Sequence, residues 1–307
     1  MNKINIFKDD SLNKEYLENG FIILNLFDSK KRQEIKKYAE DFISKKKTES
    51  PKFFAIPNSS TADDECSMVG HFLKEKTKEE VSSYITDDFE CFCATFLIKK
   101  AKSSNLHWHI DSSFYNQSKF ERPFAIWTSI DKTTANTGCL RVVPKSHKLA
   151  FDSEPFSFSL GNEKNEKLTG VYNELIEKHA IDVPLKKGEV IIHDNALIHS
   201  SAPNNSFFKK RIAFKLLYFP KSVNEFEMVV FDKLNRKLIK HQFQKDELSC
   251  NTAKTVTHYM NNFNQMPEKL IDQVAQENIN QPFTTLEGME KIMMTPIVSL
   301  KSSFELF

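Results

Sequence analysis

The stretch Asn105-Leu-His107-Trp-His109-Ile-Asp111 decides the fold, because two convergent metal donors at this spacing require an extended segment. In a strand, residues i and i+2 share one face, so the His109 imidazole and the Asp111 carboxylate converge on a single point. A third donor is found in Gly188-Glu-Val-Ile-Ile-His193-Asp-Asn-Ala-Leu-Ile-His199-Ser-Ser201-Ala-Pro-Asn-Asn205, where His199 is the candidate. Two histidines and one carboxylate, with coordination positions left open, suit non-haem Fe(II) oxygen chemistry. The pair alone says little. With 9 His and 41 acidic residues in 307, chance supplies roughly one such dipeptide spacing per chain. His107 lies on the same face if the strand is regular, so a cupin-like set of His107, His109 and His199 stands as the rival arrangement.

Working outward, most of the middle of the chain reads as strand. Glu90 to Lys99, Phe124 to Ile130, Cys139 to Val143, Ile181 to Leu185, Glu189 to His193 and Arg211 to Phe219 are short and rich in β-branched or aromatic residues. Gly, Pro, Asn or Lys clusters bound them. Many short strands without helices between them predict an antiparallel sandwich or barrel. A strand over Phe21 to Leu24 precedes an amphipathic helix over Asp28 to Lys47, capped by Asp28 or Ser29 and carrying Ile35, Tyr38, Ala39, Phe42 and Ile43 on one stripe. Residues 50 to 70 read as a long loop. Residues 151 to 180 read as an insertion with a short helix near Tyr172 to Lys178. A hairpin of Glu227 to Asp232 and Lys237 to Phe243 follows, then helices over Thr252 to Phe263 and Pro267 to Glu277. The expected organisation is one domain over 1–307: 1–89 with helices and the first strand, a 90–220 core, and a 221–307 extension packed on it.

Hydrophobic residues make up 40% and charged residues 27%, values ordinary for a globular protein. A net charge of +2 gives neither nucleic acid nor an anionic membrane an electrostatic footing. The first ten residues hold no apolar leader core, and Phe21 to Phe27 is too short to span a bilayer, so a cytoplasmic protein is expected. Five cysteines without a Cys-x-x-Cys pair indicate neither a disulfide framework nor a structural zinc site.

Three blocks give the middle third a resemblance to the phytanoyl-CoA dioxygenase-like family of Fe(II)- and 2-oxoglutarate-dependent oxygenases. They are His107-Trp-His109-Ile-Asp111; Ala125-Ile-Trp127-Thr-Ser-Ile-Asp131 running into Asn136-Thr-Gly138-Cys-Leu-Arg-Val-Val-Pro144-Lys-Ser-His147; and Gly188 to Asn205 with Arg211 downstream. Thr137 and Lys145 depart from the family's Asn and turn Gly, which affects a turn and not a ligand. The resemblance implies a mainly β fold with flanking helices around a double-stranded β-helix, or jelly roll, of the cupin-like kind. It implies His109, Asp111 and His199 as iron ligands, and Arg211, Ser201 and Trp127 around the 2-oxoglutarate. A guanidinium suits that anchoring role because it makes two parallel charge-assisted bonds to a carboxylate. Asp111, present where related halogenases have Ala or Gly, argues against halogenation.

The implied reaction couples O2 and the oxidative decarboxylation of 2-oxoglutarate to succinate and CO2 with oxidation of a C–H bond. A small organic substrate is expected, most simply hydroxylated, with desaturation, epimerisation or ring closure as other outcomes. His107, Phe114 and Tyr115 are expected near the substrate. His147 is read as closing a turn and His193 as a core or supporting histidine. The chain is expected to be a monomer or weak homo-oligomer. Two further readings stay open: an oxygenase of this fold acting on a macromolecule, and a cupin-like metal protein without redox turnover.

Overall fold

A computed structural model describes residues 5–45, 53–56, 63–111, 123–151, 174–222, 225–232, 237–244 and 273–278. Helix α1 (Asp10–Asn19) leads into β1 (Phe21–Asn25) and α2 (Ser29–Ser44), with Asp28 as the α2 N-cap accepting from the Lys31 N–H. Then come β2 (Phe53–Ile56), α3 (Asp63–Ser82), β3 (Phe89–Lys99), β4 (Phe124–Ser129), β5 (Leu140–Val142), β6 (Ile181–Val183), β7 (Glu189–Asp194), β8 (His199–Ser201) and β9 (Arg211–Pro220). A short helix occupies residues 174–179. Beyond Pro220, β10 (Glu225–Asp232), β11 (Lys237–Gln244) and β12 (Gln273–Asn278) form an antiparallel sheet of their own.

The main sheet has six strands in the order β1-β7-β4-β9-β3-β2, and a smaller one runs β6-β5-β8. Strand parity divides the apolar residues between two cores. Ile22, Phe96, Ile98, Ile126, Ile192, Phe214 and Leu216 face the helices, where Ile35 and Ala39 of α2 and Val69, Leu73 and Val81 of α3 cover them. Their neighbours Phe21, Ile23, Trp127, Ile191 and Ala213 face the small sheet's Leu140, Val142 and Val183. Two antiparallel sheets enclosing one core, with helices on the outer face, make the expected jelly roll. The same parity turns Lys99, Arg211, Lys215 and His193 inward.

Two sequence expectations fail. Residues 50 to 70 are not one loop: β2 pairs with β3, and α3 begins at Asp63. Gly70 and the preceding polar run hide the helix, although Val69, Leu73, Thr77 and Val81 recur at four-residue spacing and are all buried. The helix expected over Pro267 to Glu277 is contradicted over residues 273–277 by β12, where pairing to β11 overrides the helix propensity of Gln and Ala, while residues 267–272 lie outside the described residues. The helix over Thr252 to Phe263 lies outside the described residues. Among the described residues, no helix is long and apolar enough to cross a membrane.

Lys145 stands in the left-handed region at φ 68°, the position where the family pattern has glycine. A side chain there costs about 1 kcal/mol. The structure shows what offsets it: the buried Lys145 ammonium reaches Glu18 Oε1 at 2.8 Å, while Lys148 reaches Oε2 at 2.8 Å. His147 beside it is buried, with Nε2 3.1 Å from the Leu17 carbonyl and its ring against Gly20, where a Cβ would lie 2.5 Å from Nδ1. The two lysines, Lys145 first, pull the Glu18 carboxyl down to about 2. A depressed carboxylate contributes stability above its ordinary pKa and loses it as pH falls toward the folded value. At pH 7, urea midpoints should therefore rank the unaltered chain at or above Lys145→Gly, and Lys145→Ala lowest, because Ala keeps the strain and loses the clamp. The gap between the unaltered chain and Lys145→Ala should close as pH falls from about 5 to 2. Equal midpoints for the Gly and Ala variants would contradict this account.

Candidate metal centre

The segment 106–111 runs antiparallel beside 195–201. His109 and His199 exchange both backbone bonds, N–H to carbonyl at 3.0 and 2.8 Å, while Leu106 N–H reaches Ser201 O at 2.9 Å and Asp111 N–H reaches Asn195 O at 2.8 Å. This pairing sets the two histidine rings 4.3 Å apart. One donor atom each from His109, Asp111 and His199 lies within 4.8 Å of the others, and His199 Nε2 stands 3.7 Å from Asp111 Oδ2. His107 is exposed and outside this group.

Each histidine of the group is fixed by its other nitrogen. His109 Nδ1 sits 2.8 Å from the His107 carbonyl and His199 Nδ1 2.9 Å from the Leu197 carbonyl. A carbonyl accepts only, so each Nδ1 carries the proton and each Nε2 keeps its lone pair for a metal. Burial lowers the pKa of both rings, which keeps them neutral. Burial alone would raise the Asp111 carboxyl, but the Lys215 ammonium, 2.5 Å from Oδ2, leads the charges that hold it well below the usual carboxylate range. Two neutral imidazoles and one ionised carboxylate form a donor set that fits a divalent iron. His193 lies beside the group, its ring 4.7 Å from that of His199, and burial pushes it down to about 4.

The outer side of the same segment is clamped. Trp108 points away from the group and donates Nε1–H to Glu177 Oε1 at 3.0 Å. Arg141 grips both Glu177 oxygens at 3.1 and 2.7 Å and holds its guanidinium 5.0 Å over the Trp108 ring. The short helix over residues 174–179 is thereby tied to the strand bearing His109.

Deeper in the barrel, Arg211 is buried, with Nη1–H donated to the Gly138 carbonyl at 2.7 Å and its guanidinium 5.1 Å over the Trp127 ring. Among the described residues its buried Nε–H has no acceptor. Burial pushes the guanidinium down to about 9, still charged at neutral pH. Ser201, on β8 two residues past His199, accepts from Lys99 Nζ at 2.8 Å. An orphaned buried donor beside uncompensated positive charge fits a carboxylate ligand. The structure thus brings Trp127, Ser201 and Arg211 together at one end of the inter-sheet core. Phe114 and Tyr115 lie outside the described residues.

Lys99 and Lys215 escape a reading by motif. A lysine within the apolar run Ile212 to Phe219 shares the parity of Arg211 and Ala213, and that parity was the available signal for Lys215. Lys99 closes the run Phe96 to Ile98 and looks like a strand end facing water.

Comparison with known proteins agrees with the fold. Residues 16–212 match the family model of phytanoyl-CoA dioxygenase (PhyH), and the chain belongs to this family. A phytanoyl-CoA dioxygenase domain-containing protein 1 homolog of Caenorhabditis briggsae is 26% identical over 102 residues, 32% of this chain and 35% of the relative. The human peroxisomal phytanoyl-CoA dioxygenase is 25% identical over 226 residues, 65% of each chain. The match thus spans about a third of the nematode relative and just under two thirds of the human one. Among solved structures, the epimerase SnoN in complex with Fe3+, alpha ketoglutarate and nogalamycin RO superposes with a TM-score of 0.51 at 15% identity, over 90% of this chain and 95% of that one.

Gly138 adopts φ 81°, and a Cβ there would lie 3.0 Å from Lys99 Cδ and 3.4 Å from the Ala202 carbonyl. Gly138→Ala should therefore cost about 1–2 kcal/mol in urea unfolding. An unchanged midpoint would mean that the turn relaxes freely.

Proposed function

We propose that this chain is an Fe(II)- and 2-oxoglutarate-dependent dioxygenase that oxidises a C–H bond of a small organic molecule, most simply by hydroxylation. The carrying observation is the convergence of His109, Asp111 and His199 donor atoms with both imidazoles held in the metal-binding tautomer. Bound iron would supply the O2 chemistry that couples decarboxylation of the 2-oxo acid to oxidation of the substrate. The protein's part is positional. His109 and His199 present Nε2, Asp111 presents a charged carboxylate, and Arg211, backed by the Trp127 face, offers its guanidinium to the distal carboxylate of 2-oxoglutarate. A small substrate is favoured by the near-neutral charge, which leaves nucleic acid without an electrostatic footing. The one-domain organisation over 1–307, with residues 221–307 as an extension of the core, belongs to the same reading.

Removing a ligand should abolish both iron binding and turnover. For His199→Ala and Asp111→Ala, equilibrium dialysis against Fe(II) under argon should show no bound iron. Succinate formation from 2-oxoglutarate should vanish with it, whereas His107→Ala keeps its iron. Full activity in Asp111→Ala would sink the assignment, and loss of iron in His107→Ala would revive the cupin arrangement. Arg211→Met should leave iron in place and raise the KM for 2-oxoglutarate by on the order of tenfold to a hundredfold, since it removes a charge-assisted bond worth about 1.5–3 kcal/mol.

A further inference from the structure

The loop between β8 and β9 carries the run Asn204-Asn-Ser-Phe207-Phe208-Lys209-Lys210. Phe207 is 73% exposed and Phe208 95%, the two most exposed large apolar side chains among the described residues. Their ring centroids stand 6.2 Å apart. Single apolar side chains on a surface are ordinary, but two neighbouring phenyl rings at a loop apex put apolar area into water with no packing in return.

Hydrogen bonds hold that apex on a fixed base. Asn204 is buried beneath it, donating Nδ2–H to the Lys99 and Lys209 carbonyls at 3.2 and 2.8 Å and accepting the Ser206 N–H at 3.2 Å. The Asn204 N–H meets the Ser103 carbonyl at 3.0 Å, Lys102 N–H the Ser206 carbonyl at 3.2 Å, and Asn205 N–H the Asn136 carbonyl at 2.9 Å. The residues on both sides of the two rings are thus pinned, and the rings project from them.

Positive charge is gathered around the same apex. The three segments joined there, 99–106, 132–138 and 202–211, contain no Asp or Glu. Lys102, Lys209 and Lys210 are exposed, and among the described residues none of them forms an ion pair. Lys102 Nζ lies 3.3 Å from the centroid of the Phe207 ring. A net charge of +2 draws no membrane to the chain as a whole, but charges at a surface act within a Debye length, where the local cluster decides. A protein interface takes about 20–30 residues a side, more than this narrow apex offers. A fluid bilayer accepts such a wedge: the rings enter the headgroup boundary, while lysine stems lie along it and their ammonium groups meet anionic headgroups.

We propose that the β8–β9 loop is a membrane-docking element: Phe207 and Phe208 enter the interface of a bilayer carrying anionic lipid, and Lys102, Lys209 and Lys210 hold its headgroups. The loop joins Ser201 to Arg211, so docking sets that end of the barrel against the lipid. This surface role stands apart from the co-substrate reading and does not depend on it.

Co-sedimentation of the full chain with phosphatidylcholine vesicles, with and without phosphatidylserine, tests it. Phosphatidylserine should strengthen binding on the order of tenfold, and added salt should remove that gain. Phe207→Ser/Phe208→Ser should weaken binding to the mixed vesicles on the order of tenfold or more, with an unchanged urea midpoint because both rings lie outside the core. Lys209→Glu/Lys210→Glu should abolish the preference for phosphatidylserine. The fluorescence of Phe208→Trp should shift to the blue on mixed vesicles, since Trp108 and Trp127 are buried and give a constant background; that shift carries the test if the serine pair does not fold. No binding to mixed vesicles, or binding that either paired variant keeps in full, overturns the proposal. So does a dimer in sedimentation velocity that the serine pair dissolves, which would assign the rings to a second copy of this chain.

Discussion

The antiparallel exchange between His109 and His199 is the interaction on which the rest depends. Two backbone bonds between residues ninety positions apart extend the small sheet by one strand and set both imidazoles side by side. Once that register is fixed, Asp111 follows two residues on, tied to the Asn195 carbonyl, and Ser201 follows two residues on in the other strand. A one-residue slip would turn every one of these side chains to the opposite face. The clamp of Trp108, Glu177 and Arg141 on the outer side guards against that slip.

The interior of this barrel is unusual in its charge. Lys99, Arg211 and Lys215 all point inward from two adjacent strands. Among the described residues only Lys215 meets a carboxylate, that of Asp111 in the candidate metal group. In an apolar core such charges are uncompensated and unfavourable. Here they stand at two levels, Lys215 beside His109, Asp111 and His199, and Lys99 opposite Arg211. A ligand that neutralises them binds the folded state alone and stabilises it by mass action.

Much of this was legible in the sequence because the signals are local. The six core strands announce themselves through β-branched and aromatic runs, and β9 is a near-continuous apolar segment because both of its faces are covered. His109 and Asp111 were legible from period-two geometry. The pairing with His199 and the setting of Arg211 needed the family blocks, since register across ninety residues leaves no local trace. The helix α3 was hidden by Gly70 and a polar approach, and β12 by residues whose helix propensity yields to strand pairing. Lys99 was illegible for another reason. Its meaning depends on Ser201 and Ala202, more than a hundred positions away, and a lysine ending a strand ordinarily faces water.

The side chains of His109, Asp111 and His199 converge closely enough to hold one divalent metal. Anomalous diffraction from crystals grown with Mn(II) tests it directly. A single peak is expected within bonding distance of Nε2 of His109, Nε2 of His199 and a carboxylate oxygen of Asp111, with Lys215 displaced from the oxygen it now holds or sharing the carboxylate through the other. A peak on His107, or one that leaves Asp111 uncoordinated, would contradict it.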